Sequence, residues 1–228
     1  MTTQVNPVSF GGSASALEVN RVLRNTFMLL AISMIPTIAG AWMGVAFKLP
    51  IPGGFIGMLL FMGGAIGFQF AIHRFRDSSV GVVLMLVFTF FMGLMLSRLL
   101  GQVMGLKNGA NLIMAAFGGT AIILGGMAMI GTMIKSSLQG LGKFLFMGMW
   151  AVVALAVVGM VFQMPMMMLA LVAVSLIIFS LYIMYDVNQI VTGGETNYIV
   201  AATQLYVNVF SVFQSLLALL GIFGGEKE

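Results

Sequence analysis

Between residues 26 and 223 the chain holds seven apolar runs with hardly a charge inside them, at about 26–47, 51–72, 79–97, 110–134, 144–162, 166–191 and 198–223. A helix rises about 1.5 Å per residue, so each run approaches the ~20 residues that cross a hydrocarbon core about 30 Å thick. Inside that core every backbone N–H and C=O must be satisfied within the protein, which leaves helices for runs of this length. The implied fold class is all-α, a polytopic membrane protein with seven transmembrane helices and the lipid bilayer as its main partner. Residues 21–228 form one transmembrane domain, preceded by a polar, small-residue stretch at 1–20 that reads as a flexible N-terminal tail.

Composition excludes the alternatives. Charged residues make up 7% of the chain, against about 25% in a soluble domain. There is no cysteine, which removes disulfides, zinc–thiolate sites, iron–sulfur clusters and a thiol nucleophile. The net charge of +4 is spread too thinly for a nucleic-acid footprint. The single histidine, His73, stands beside Arg74 at an expected membrane edge, so a Ser–His protease would have one badly placed base. No phosphate-binding or dinucleotide glycine motif follows a strand. No enzyme chemistry and no cofactor are expected. The 22 methionines, Met166-Met-Met168 among them, are soft enough for copper(I). They are scattered and have no His or Cys companions, so they read as adaptable packing.

The breakers between runs set the topology. Lys48-Leu-Pro50-Ile-Pro52 and Gln163-Met-Pro165 are so short that both must be tight hairpins. Seven crossings collect Arg21, Arg24, Arg74, Arg76, Lys135 and Lys143 on the N-terminal side and Lys48, Arg98, Lys107 and Lys227 on the other. Six against four predicts a cytoplasmic N-terminus and a C-terminus outside. Gly40 and Gly44, Gly53 and Gly57, and Gly63 and Gly67 each share a helix face, and the fourth run adds Gly118, Gly119, Gly125, Gly126 and Gly131. These faces are expected to pack against other helices of the same chain.

An ionisable residue inside a span is costly to keep and is a functional candidate for that reason. Asp186 is that residue. Tyr182, Asp186 and Gln189 recur on one helix face, with Asp186 roughly 8 Å in from the helix end. The last run answers with Gln204, Asn208, Ser211 and Ser215 at helical spacing. A short connection makes the two helices antiparallel neighbours, so Asp186 should lie level with Gln204 and Asn208. Such a cluster could pass a proton or coordinate a cation, calcium at Asp186 included; no other metal ligand set is expected.

Leu181-Tyr-Ile-Met-Tyr185-Asp-Val-Asn-Gln-Ile190, Gly193-Gly194-Glu195-Thr-Asn197-Tyr198-Ile199 and Ala202-Thr-Gln-Leu-Tyr206-Val207 resemble the signature of the Bax inhibitor-1 family, and most closely its bacterial YccA-like branch. The resemblance implies a fold in which six helices surround a central seventh. It implies a cation leak, chiefly of calcium, governed by pH through two facing aspartates on the last two helices. For this branch it also implies an inner-membrane protein that modulates, and is slowly degraded by, an FtsH-type membrane protease gripping the cytoplasmic tail. The sequence departs from the pattern at one position: the seventh-helix aspartate is Asn208 here. Two carboxylates held together cannot both ionise cheaply, and an Asp–Asn pair lacks that repulsion, which shifts weight from ion conduction to protease modulation. Threading also places Arg24, Arg74 and Arg76 on the same side as Asp186, so one of them is a candidate latch on its carboxylate.

Overall fold

The computed structural model describes residues 11–225, with side chains from residue 17 onward. Seven helices follow in order: α1 (Gly11–Ala46), α2 (Gly54–Arg74), α3 (Ser79–Met104), α4 (Gly109–Met133), α5 (Gln139–Val161), α6 (Pro165–Val191) and α7 (Tyr198–Phe223). All seven are long and apolar enough to cross a membrane.

The helices outrun the apolar runs where a charge stops the run. α3 continues past Arg98 to Met104, and α5 starts four residues before Lys143. A charge marks the edge of the hydrocarbon, whereas the backbone ladder continues for another turn or two in the headgroup layer. The largest difference is at the beginning. α1 starts at Gly11, inside the stretch read as a tail, because Ser13-Ala-Ser-Ala-Leu-Glu18 is short of breakers and contains good helix formers. Its 36 residues extend about 54 Å at the standard rise, well beyond the hydrocarbon. Residues 1–10, the rest of the expected tail, and Lys227 lie outside the described residues.

Both short connections are hairpins, built in the same way. Lys48 (φ 48°) and Gln163 (φ 51°) adopt the left-handed conformation just past α1 and α5. The next N–H reaches back to a carbonyl five residues earlier, Leu49 to Gly44 at 3.1 Å and Met164 to Gly159 at 2.9 Å. Each turn thereby satisfies carbonyls that a helix end leaves free.

The closest helix pair is α1 with α3. A Cβ on Gly40 would collide with the α3 backbone at Phe90, and one on Gly93 would collide with the α1 backbone at Thr37. Gly44 is filled in the same way by Ser97. Glycine therefore sets the interaxial distance from both sides. Gly53 also meets α3, at the Arg98 side chain, and Gly57 meets the Pro52 carbonyl of its own connection, but other glycines depart from expectation. Gly63 and Gly67 on α2 and Gly118, Gly125 and Gly126 on α4 have no protein atom within 4 Å of an added Cβ. Of the five glycines expected to line α4, Gly119, against Leu216, and Gly131, against the Met184 carbonyl, pack on a neighbouring helix. Helical spacing put these residues on common faces, but it could not say which face points to lipid.

α7 is the central helix, with apolar residues such as Ala202, Leu205, Val212 and Leu217 fully buried. It packs against α1, α2, α3, α4 and α6. The expected ring of six is corrected to five, because α5 packs on α6 and touches α2 without reaching α7. Tyr206 ties the centre together: its hydroxyl bonds Thr37 Oγ1 at 2.8 Å and the Thr89 carbonyl at 3.3 Å. Thr37 follows Pro36, whose missing N–H interrupts the α1 ladder, and its hydroxyl donates back to the Ser33 carbonyl at 2.8 Å.

Candidate functional site

Asp186 comes from the last third of α6 and Asn208 from the middle of α7, and both are buried. The Asn208 side-chain amide donates to Asp186 Oδ2 at 2.5 Å. The antiparallel α6–α7 pair produces this register, as the length of the connection requires. A lone carboxylate in this setting is expensive, and one charge-assisted bond recovers part of the lost hydration. The pair can hold one proton or offer oxygens to a cation. Calcium takes about six to eight oxygens, and among the described residues no group of three or more acids and histidines is placed to supply them.

The rest of the expected stripe divides. Ser215 is buried, as Asn208 is, but Gln204 is exposed. Ser211 is half-buried and donates to its own helix at Val207, 2.7 Å away. Gln214, outside the expected stripe, is exposed as well. Of these α7 residues, then, Asn208 and Ser215 are buried, Ser211 is half-buried, and Gln204 and Gln214 are exposed. On α6, Tyr182 and Tyr185 are half-buried with their rings edge to face at 6.2 Å.

No arginine pairs with Asp186 among the described residues. Arg24, Arg74 and Arg76 are all exposed; Arg76 pairs with its neighbour Asp77 at 3.6 Å, and Arg74 lies over the Phe75 ring at 6.0 Å. For Arg74 and Arg76 the cause is helix placement, since α2 packs on α3, α5 and α7 but not on α6; Arg24 sits on α1, which does pack on α6, but its side chain is exposed.

The motif residues around the α6–α7 connection form a turn. Gly193 (φ 76°) closes α6, with Gly194 N–H donating to the Gln189 carbonyl at 2.8 Å. Glu195 accepts from Asn197 N–H at 2.8 Å. Asn197 caps α7 by accepting from Ile199 and Val200 N–H at 3.0 and 3.2 Å. Its amide donates to the Arg76 carbonyl at 3.0 Å and to Asp77 at 2.9 Å, which staples the α2–α3 turn to the start of α7. Tyr198 opens the helix and is half-buried.

Asn188 is the residue that sequence reasoning missed. It is fully buried, donates to the carbonyls of Ile134 and Ser136 at 2.8 and 3.1 Å, and accepts from Leu138 N–H at 3.1 Å. It therefore holds the whole α4–α5 connection onto α6. The available signal was a second uncharged polar residue two positions after Asp186, inside an apolar run.

The chain resembles known proteins over nearly its whole length. The family model described as "Inhibitor of apoptosis-promoting Bax1" matches residues 19–225. An uncharacterized protein of Pseudomonas aeruginosa is 33% identical over 213 residues, covering 93% of this chain and 94% of that protein. The modulator of FtsH protease YccA of Escherichia coli K12 is 31% identical over 207 residues, covering 91% and 92%. The protein from Escherichia coli O6:H1 named inner membrane protein YccA matches to the same extent, 31% over 207 residues with 91% and 92% covered.

Proposed function

From membership of the Bax inhibitor-1 family, to which this chain belongs, we propose that it is a bacterial inner-membrane protein that modulates an FtsH-type membrane protease. One observation carries the reading: likeness over nine-tenths of both chains to a protein named as the modulator of that protease. The replacement of the second aspartate by Asn208 supports a regulatory role over a carboxylate-pair sensor. The basic residues at the face where α1 begins support a cytoplasmic N-terminus, and the role proposed is non-catalytic. Purification of the tagged chain from bacterial membranes in mild detergent tests the proposal. An FtsH-type protease should enrich with the full chain and enrich less when residues 1–10 are deleted. Equal recovery of the protease with an unrelated seven-helix protein would overturn it.

The buried Asp186–Asn208 contact favours a second reading, a proton or cation leak. Sealed vesicles containing the purified protein should then pass protons or calcium, and Asp186→Asn should abolish the flux. Flux unchanged by that substitution removes Asp186 from any pathway.

A further inference from the structure

Between the start of α5 and the end of α6 lies an open cavity of about 650 Å³, lined among others by Gln139, Lys143, Phe146, Tyr185 and Gln189. Its polar chemistry is one-sided. Lys143 brings an ammonium, Gln139 and Gln189 bring amide donors, Tyr185 brings a phenol, and no carboxylate lines the wall. The Gln189 Nε2 atom is buried and has no hydrogen-bond partner among the described residues. A buried donor without an acceptor is uncommon and calls for a partner. The N-cap of α5, Leu138, provides no side-chain cap, so the free N–H groups of the first turn lie at the same end.

The position of the cavity selects the acceptor. Alternating crossings put Lys143 at the same membrane face as Arg21, Arg24, Arg74, Arg76 and Lys135. That face is level with phospholipid phosphates. From there Phe146 and Met147, both more than half exposed, continue the wall one turn deeper towards the hydrocarbon. A cation and amide donors above an apolar wall match a phosphate diester with an acyl chain attached. A lysine in a basic pocket between transmembrane helices is a recurrent way of holding such a headgroup.

We propose that this cavity binds the headgroup of an anionic phospholipid, with Lys143 as counter-ion to the phosphate and Gln189 and Gln139 as neutral donors. Neither Asp186 nor Asn208 lines it, and the proposal does not depend on protease modulation or on ion leak. The test uses the full chain in mixed micelles with equal phosphatidylglycerol and phosphatidylcholine, and native mass spectrometry reads the lipid retained. Phosphatidylglycerol should be preferred, and Lys143→Gln should cut that preference about fivefold, the worth of one lysine near an anionic surface. Gln189→Met should also cut it with helix content unchanged by circular dichroism. Lys135→Gln, at the same face but outside the cavity, should leave it intact. Equal retention of the two lipids, or an equal loss from Lys135→Gln, overturns the proposal. So does a rise in melting temperature with soluble glycerol phosphate as large as that with phosphatidylglycerol, which would assign the site to a free phosphate ester.

Discussion

The amide of Asn208 reaches across the α6–α7 interface to the carboxylate of Asp186, 2.5 Å away, and each is the other's only side-chain hydrogen-bond partner among the described residues. Removing the amide leaves a buried carboxyl group alone, at a cost of about 1–3 kcal/mol. Asn208→Ala should therefore unfold earlier in an SDS titration followed by circular dichroism. Replacing both residues with leucine should cost less than the two single changes added together. Strict additivity would show that the contact contributes nothing to stability.

How much of this could be read from the sequence follows from what helical periodicity encodes. Spacing fixes which residues share a face, so Asp186 opposite Asn208 was legible from the short Thr192–Asn197 connection and the rise per residue. It does not fix how a face is oriented among seven helices. Gln204 shares a stripe with Asn208 but falls on the exposed edge. Gly63 and Gly67 face open space on the outside of the bundle while Gly40 and Gly44 meet α3. The arginine latch failed for the same reason: threading gives the membrane side of a residue but not the neighbour of its helix. Asn188 was hidden because its partners are backbone carbonyls in the 134–138 segment, which no side-chain pattern announces.

Asn188 makes three bonds to the α4–α5 connection. An ordinary hydrogen bond contributes about 1 kcal/mol net, and orphaned buried groups cost more. Asn188→Ala should lower stability by about 2–4 kcal/mol. Hydrogen exchange should show faster exchange at residues 134–138 than at the α6–α7 connection. Uniformly faster exchange through both connections would mean that Asn188 supports the fold at large and not this segment.

The glycines of α1–α3 and of α2 should respond oppositely to the same methyl group. At Gly93 an added Cβ runs into the α1 backbone, and helix backbones do not yield as side-chain tips do. Gly93→Ala should cost about 1–3 kcal/mol by overpacking. At Gly63 the space is open, so Gly63→Ala should be neutral or should stabilise by up to about 1 kcal/mol through helix propensity. Melting temperatures of the two variants in one detergent give the comparison. A loss at Gly63 comparable to that at Gly93 would mean that α2 packs against something outside the chain.

The three tight connections give a final prediction, because the same positive-φ turn is occupied by different residues. Gly193, Lys48 and Gln163 all take positive φ, at 76°, 48° and 51°. In each, the following N–H returns to a carbonyl five residues back, at Gln189, Gly44 and Gly159. For a residue with a Cβ this conformation costs about 1–2 kcal/mol, and glycine escapes that cost. Gln163→Gly should therefore stabilise the protein by about 1 kcal/mol, less the entropy that glycine adds to the unfolded chain. Gly193→Ala should destabilise it by about 1–2 kcal/mol. Space does not confuse the second result, since no atom lies within 4 Å of a Cβ at Gly193, so any loss reports backbone strain alone. Paired SDS unfolding titrations of Gln163→Gly and Gly193→Ala against the parent measure both. A destabilised Gln163→Gly would mean that the Gln163 side chain, and not its backbone conformation, secures the α5–α6 hairpin.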